Sequence, residues 1–382
     1  MNNNLGVSVY RTAVMLCVLV LFGAGTMYVH AQRVWDWPVI GAPTVSYSPE
    51  TKWSFGVSAA GYIVLPADSL KRTSELTIDA AYTLNKQWFV TLGGTLYITP
   101  EWQFSFRIGY RNFPDCFYGV GNRPSDMPTD PLRYTSAALT AYMQPLYNVG
   151  NGWHVGPVAQ GRLETKGLAV DSTGATKQWG EVSAGAVAMY DGRDNIFYPH
   201  RGLFFKAQLR WLGLTVRGEH FRSVAAMQLD FRHFLPIYGD FIFAYQVYAN
   251  ILAASSPISA SASASSGFAP TAVLLPAVGG QDVLRGFYTG QFRDEAVAAL
   301  QAELRFPIYS ILRGTAFAGI GDAYNLHQPR WAVPKVGYGV GLRLQFNTAG
   351  INIRADVARN NYDNRWNTIS AYSFYLTVKE AF

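Results

Sequence analysis

Gln301-Ala302-Glu303-Leu304-Arg305-Phe306 alternates without a break, with Gln301, Glu303 and Arg305 on one side and Ala302, Leu304 and Phe306 on the other. A period of two puts successive side chains on opposite faces of a β-strand, whereas a helical period of 3.6 would mix the two sets. The rhythm returns at Leu342 to Phe346, where Leu342, Leu344 and Phe346 alternate with Arg343 and Gln345. It returns again at Ile351 to Val357, where Ile351, Ile353, Ala355 and Val357 alternate with Asn352, Arg354 and Asp356. One face is aliphatic and the other carries charge, as in a sheet standing between an apolar medium and water.

Similar segments fill the chain on both sides of these three. Strands are expected near 52–64, 73–83, 87–98, 102–112, 132–144, 152–164, 178–190, 202–213, 221–233, 240–253, 295–307, 312–321, 336–346, 350–359 and 372–381. A bacterial single-chain barrel has an even number of strands. About sixteen are therefore expected, with the unassigned one upstream of Asp191. The chain is 49% hydrophobic, 15% aromatic and 15% charged, which excludes a disordered polymer. No run of 18 apolar residues follows residue 31, so no membrane helix is expected there. A soluble sandwich would alternate too. Three features favour a membrane: charges on the polar faces, a last strand closing on Phe382, and aromatics crowded at strand ends (Trp88-Phe89, Tyr97, Trp102, Tyr142, Tyr147, Trp153, Tyr190). The expected fold is all-β, a transmembrane antiparallel β-barrel of about sixteen strands spanning 52–382.

At the N-terminus, Arg11 precedes an apolar stretch from Thr12 to Met27, and Val29 and Ala31 stand before Gln32. This has the form of a secretory signal peptide over 1–31, the alternative being an uncleaved anchor. Residues 32–51 then form a short periplasmic segment ahead of the barrel. The remaining 382 − 31 = 351 residues carry 30 − 25 = +5 charges and one cysteine, Cys116. That excludes an intrachain disulfide and a Cys-rich metal site, and the small, scattered positive excess argues against nucleic acid as a partner.

One connection is long. Residues 254–294 begin with a flexible Ser/Ala tract, Ala254 to Ser266, and continue through a glycine-punctuated part carrying Arg285. A loop of that length in a compact fold is functional or disordered, and its second part is expected to be placed in the lumen as a plug.

Several stretches carry a family likeness in order: Tyr47-Ser-Pro-Glu-Thr51 before the first expected strand, Phe117-Tyr-Gly-Val-Gly-Asn122, Asp191-Gly-Arg-Asp-Asn-Ile-Phe-Tyr-Pro-His-Arg-Gly202, Gly279-Gly280 leading to Leu284-Arg285-Gly286-Phe287, and Glu303-Leu-Arg-Phe-Pro307. Together they resemble the bacterial surface antigen barrel, the BamA/TamA family of outer-membrane assembly and translocation proteins. The resemblance implies that the Arg-Gly-Phe loop folds back into the lumen and that its Arg docks on acidic or aromatic wall residues. It also implies a conformational turn at Asp191, Arg193, Asp194, Pro199 and Gly202. Where relatives carry Phe-x-Asp-x-Gly, this chain reads Phe317-Ala-Gly319-Ile-Gly321. Arg285 is therefore expected to meet Glu303, with Asp322 as second candidate; contact with loop carbonyls and water is the alternative. The family's periplasmic POTRA domains do not fit into residues 32–51. Phe374, Leu376, Val378 and Phe382 share one face as a C-terminal assembly signal, interrupted by Glu380.

No catalytic residues are assigned. The histidines after residue 31 (His154, His200, His220, His233, His327) show no metal-ligand spacing, no Gly-x-Ser-x-Gly elbow occurs, and Gly279-Gly280 lacks a following Gly-Lys-Ser/Thr. A membrane-embedded hydrolase assembled from separate strands stays open as a minor alternative. Asp191, Arg193 and Asp194 could bind a cation or order a turn by ion pairing. No metal or cofactor is expected. The expected function is a non-enzymatic accessory role in outer-membrane protein insertion or translocation. Its expected partners are outer-membrane lipids, client outer-membrane proteins and a periplasmic or lipoprotein partner. Alternatives are a diffusion channel or structural barrel, and a barrel subunit of a larger envelope complex.

Overall fold

Each alternating segment lies antiparallel between two neighbours, and the sheet closes on itself. A computed structural model describes residues 39–65, 73–123, 131–166, 178–216, 222–254, 274–329, 332–345, 352–362, 372–378 and 382. The expected signal peptide, the Ser/Ala tract past Ala254 and Glu380 lie outside the described residues. The strands are β1 (Val39–Ser48), β2 (Lys52–Val64), β3 (Thr73–Thr83), β4 (Trp88–Tyr97), β5 (Trp102–Phe117), β6 (Leu132–Gly150), β7 (Trp153–Lys166), β8 (Trp179–Asp191), β9 (Gly202–Val216), β10 (Arg222–Tyr238) and β11 (Phe241–Ala253). After the long loop come β14 (Ala296–Tyr309), β15 (Leu312–Tyr324), β16 (Lys335–Gln345), β17 (Asn352–Asn360) and β18 (Tyr372–Val378). Inside the loop, β12 (Ala277–Val278) and β13 (Phe292–Arg293) form a separate two-stranded sheet. That small sheet falls in a stretch where no strand is expected from the alternation.

The sixteen-membered wall is completed by β1, which pairs with both β2 and β18. This strand lies inside the segment assigned above to a periplasmic extension, so the barrel wall includes Val39–Ser48 ahead of residue 52. Tyr47 and Ser48 are its last residues, and Pro49 to Thr51 form the β1–β2 turn. Pro43 hides the strand, because proline donates no ladder hydrogen bond and is tolerated only at edges or bulges. At the seam it stands opposite Val57 on one side, while among the described residues β18 engages β1 at a single registered pair, Tyr47 with Leu376.

Closure sorts every residue to one of two environments. Outward positions are bare aliphatics, such as Val182 at 72% exposure and Val340 at 63%. Inward positions on β14–β17 include the buried charges Glu303, Arg305, Lys335, Arg343, Arg354 and Asp356. The connections at the end bearing both described chain ends include tight turns, at Asn151-Gly152, Gly239-Asp240 and Ser310-Ile311, while the longest connection lies at the opposite end. This matches short periplasmic turns and longer extracellular loops. Outward aromatics gather near the short turns, with Trp102 against Tyr147 (ring centroids 5.2 Å apart) and Trp153 against Tyr190 (5.3 Å). Phe89 and Tyr142, expected in that belt, belong to inward rows instead. Phe89 stands opposite Arg111 in the register, and the Tyr142 hydroxyl bonds the inward Gln144.

Val340 stands at the middle of β16 on the outer face. Val340→Arg is expected to cost about 2–4 kcal/mol of folding stability in lipid vesicles, the midplane value for a cation facing hydrocarbon. Urea titration of vesicle-folded protein checks this; an unchanged midpoint would show that this face does not meet lipid.

Candidate functional site

The loop from Leu274 to Asp294 enters the barrel and packs on β14–β18. It carries its own apolar core, in which Val278, Leu284, Phe287 and Phe292 are buried with Tyr118, Val297 and Ala323. Gly286 makes the turn possible: its φ of +104° is a left-handed conformation that disfavours side chains, and an added Cβ would stand 3.0 Å from the Arg359 carbonyl oxygen. The Gly286 N–H donates to the Tyr375 hydroxyl (3.1 Å), and its carbonyl accepts from Asn360 Nδ2 (2.8 Å) and Ser373 Oγ (3.2 Å). The turn is thus clamped to β17 and β18.

Arg285 is 1% exposed. Its Nη2 donates to Glu303 Oε2 at 2.8 Å and its Nη1 to Asp356 Oδ2 at 3.0 Å, so one guanidinium spans from β14 to β17. Its carbon lies 3.6 Å from the centre of the Phe317 ring, a desolvated cation–π contact. Both carboxylates have further cations. Arg305 Nε donates to Glu303 Oε1 at 2.6 Å, Arg343 Nη1 donates to Asp356 Oδ1 at 2.5 Å, and Arg354 Nε lies 3.5 Å from Asp356 Oδ2. Removing one member of a buried set costs far more than the intact set contributes over an apolar substitute, so the network defines position more than it adds stability.

Asp322, the second expected partner, is not at Arg285. It pairs with Lys335, whose Nζ also donates to the Asn122 carbonyl at 2.5 Å. The second carboxylate is Asp356, visible beforehand only as one of many charges on a polar face. Gly319, standing where relatives carry Asp, leaves room for the loop: a Cβ there would lie 2.9 Å from Leu284 Cδ1.

The turn after β8 closes the other end of the network. Arg193 donates from Nε and Nη2 to Asp191 at 2.9 and 2.7 Å, and Asp194 Oδ1 accepts the backbone N–H groups of His200 (2.9 Å) and Arg201 (3.2 Å). Both carboxylates are thereby engaged in ordering the turn, and Gly202, at φ +108°, ends it. Burial pushes the Asp194 carboxyl up, but those N–H donors and the adjacent His200 outweigh it and leave it below its ordinary range. Arg305 Nη1 lies 3.4 Å from the Pro199 carbonyl oxygen, and the Arg305 guanidinium sits 5.2 Å from the Tyr198 ring centre.

The C-terminal residues divide. Phe374 and Leu376 stand opposite the outward Val357 and Ala355; the side chain of Val378 lies outside the described residues. Phe382 does not continue that face. It is 4% exposed and packs on Phe234 and Ala244, and its carbonyl accepts from Arg305 Nη2 at 3.3 Å. Extrapolating a period of two past Val378 placed it on the wrong side. Among the described residues no group of three or more His, Cys, Asp or Glu could hold a metal ion.

A family profile described as Omp85 superfamily domain matches residues 90–382. Comparison with curated proteins finds no match. Among solved structures the fold is similar to BamA from Haemophilus ducreyi lacking POTRA domains 1-3, with a TM-score of 0.57 and 12% identity over 90% of this chain and 70% of that one. It is similar also to CdiB from Escherichia coli (0.56, 11%, covering 90% and 63%) and CdiB from Acinetobacter baumannii (0.55, 10%, covering 89% and 59%). The chain spans less than two thirds of either CdiB chain, and at these identities the likeness establishes the fold alone.

Arg285→Ala is expected to release the loop, because truncating one partner of a buried pair costs about 3–5 kcal/mol. Arg285→Lys, which lacks the two-armed fork, is expected to restore little of that. Protease protection of 274–294 reads both; full protection in the Ala variant would mean that the apolar core alone holds the loop. A second expectation concerns pH. Burial pushes the Asp294 carboxyl up to about 6 from its ordinary 3.8, helped by the charge of Glu295 and opposed by the Glu295 N–H and by Asn325. The docked state therefore keeps a proton that the released state gives up. Asp294 taken alone therefore opposes docking increasingly as pH rises from 3.8 to about 6. Amide protection factors across the loop should fall over that window, and Asp294→Asn should flatten the fall.

Proposed function

The chain belongs to the Omp85 superfamily, and on that basis we propose that it acts without enzymatic chemistry as an accessory in outer-membrane protein insertion or translocation, in the manner of BamA/TamA-type barrels. The observation that carries this reading is the seam. Among the described residues, β1 registers with β2 along its whole length, from Val39 opposite Gly61 to Ser48 opposite Lys52, and with β18 at Tyr47 and Leu376. A strand edge paired so sparsely leaves backbone donors and acceptors available, and an incoming client strand can add to them by β-augmentation.

Partners follow from the mechanism: outer-membrane lipids, client barrels, and a periplasmic or lipoprotein component that delivers clients.

Tyr47 and Leu376 are opposite each other, a separation suited to a disulfide. In a Cys116→Ser background, the double variant Tyr47→Cys/Leu376→Cys is expected to lower the levels of other outer-membrane proteins when oxidised and to restore them when reduced. Depletion of the chain should lower the same set. Unchanged levels under both treatments would refute the reading.

A further inference from the structure

The outer wall carries a groove near its extracellular end. On β2, β3 and β4 the outward side chains fall into registered rows. Phe55, Tyr82 and Trp88 form the upper row, and Val57, Ala80 and Val90 the next one down. Ala80 is the small member of the lower row, with Tyr82 above it and Ile78 below it on the same strand face. The wall is therefore notched at Ala80. The notch opens into a groove of about 460 Å³, lined by the six residues of the two rows and the strand backbone between them, and the lining is almost wholly apolar.

The rim above the groove is ordered and positively charged. Pro49 to Thr51 join β1 to β2, and Leu84 to Gln87 join β3 to β4, both at the end of the barrel opposite the described chain ends. The two turns are tied together: Asn85 Nδ2 donates to the Glu50 carbonyl at 2.6 Å, and the Leu84 N–H donates to the Trp53 carbonyl at 2.9 Å. Lys52, three residues before Phe55, and Lys86, two residues before Trp88, are both exposed. Both hold a left-handed backbone, at φ +59° and +61°, where glycine is favoured. Neither ammonium has a hydrogen-bond or ion-pair partner among the described residues. Glu50, the one carboxylate of the two turns, is engaged by the lumen loop: its Oε1 accepts the Thr289 N–H at 2.7 Å and the Thr289 hydroxyl at 3.0 Å. The carboxylates of β3, Glu75 and Asp79, alternate with the outward Leu76 and Ile78 and so belong to the lumenal row.

We propose that this face of β2–β4 binds the phosphorylated, acylated glycolipid of the extracellular leaflet, with one acyl chain lying over Ala80 and the phosphates at Lys52 and Lys86. An apolar groove facing hydrocarbon is filled by an acyl chain. Lysine stems run along apolar surface and carry their charge to the interface, where a lipid phosphate sits. Tyr82 and Trp88 mark that level, because amphipathic rings settle among headgroups. Two cations from two turns match a headgroup with two phosphates better than one with a single phosphate. The site does not depend on the biogenesis reading, since it uses neither the seam nor a client.

The test is native mass spectrometry of the purified full chain in detergent, titrated with bisphosphorylated lipid A. Dephosphorylated lipid A and phosphatidylglycerol are the comparison probes. Bisphosphorylated lipid A is expected to be retained in preference to both. K52Q/K86Q is expected to weaken its binding about fivefold for each lysine and about thirtyfold together, and to leave dephosphorylated lipid A unchanged. Ala80→Phe, which fills the groove floor on a face where bulk is tolerated, is expected to weaken binding of both forms of lipid A. Heat-modifiable gel migration reports the fold of each variant. Should a variant not fold, the three probes on the unaltered chain still settle the matter. No preference for the bisphosphorylated form over either comparison lipid, or binding untouched by K52Q/K86Q or by Ala80→Phe, would overturn the proposal.

Discussion

Hydrocarbon offers no partner to a backbone N–H or C=O, and each group left bare there costs several kcal/mol. A sheet that meets lipid therefore has to give every strand two neighbours, and closing the cylinder is the way to do so. Once it is closed, the pleat assigns each residue to lipid or to lumen. Aliphatic residues then take the outer face and charged ones the inner face, and the charged inner face in turn requires internal partners. Among the described residues the constraint is met least fully at β1 against β18, and the proposed client chemistry belongs there for that reason.

Inside the wall, Arg285 joins pieces that are remote in sequence. Through Glu303 it reaches Arg305, and through Arg305 the turn carrying Pro199 and the carbonyl of Phe382. Through Asp356 it reaches Arg343. Such a set of buried charges is costly to assemble, and its value lies in the single geometry that brings Arg285 between Glu303 and Asp356. The loop core around Phe287 and Phe292 provides the apolar burial that the ionic contacts do not. Position and binding strength are thus supplied by different residues of the same loop.

The loop draws its partners from around the wall. Its ionic contacts lie on β14 and β17, through Glu303 and Asp356. Elsewhere the Tyr288 hydroxyl lies 3.4 Å from Asp115 of β5, the Thr289 N–H donates to Glu50 in the β1–β2 turn at 2.7 Å, and Leu275 packs with Leu212 and Val224 of β9 and β10.

Alternation, read strand by strand, was sufficient for the class of fold, for fifteen of the sixteen wall strands and for the lumenal face of Glu303, while the family resemblance supplied Arg285 as its partner. These are properties of a period-two chain and of short-range order. It failed where the neighbour across the sheet decides. Residues 32–51, expected to precede the barrel, contain the seam strand β1. Asp322 looked available until Lys335 took it, and Phe382 left the face to which its parity assigned it. Asp356 was one charge among many until closure brought β17 opposite the loop. Local sequence determines which face a side chain occupies, because the pleat is local. Which partner it meets depends on register, closure and the path of a long loop, and these exist only in the assembled cylinder.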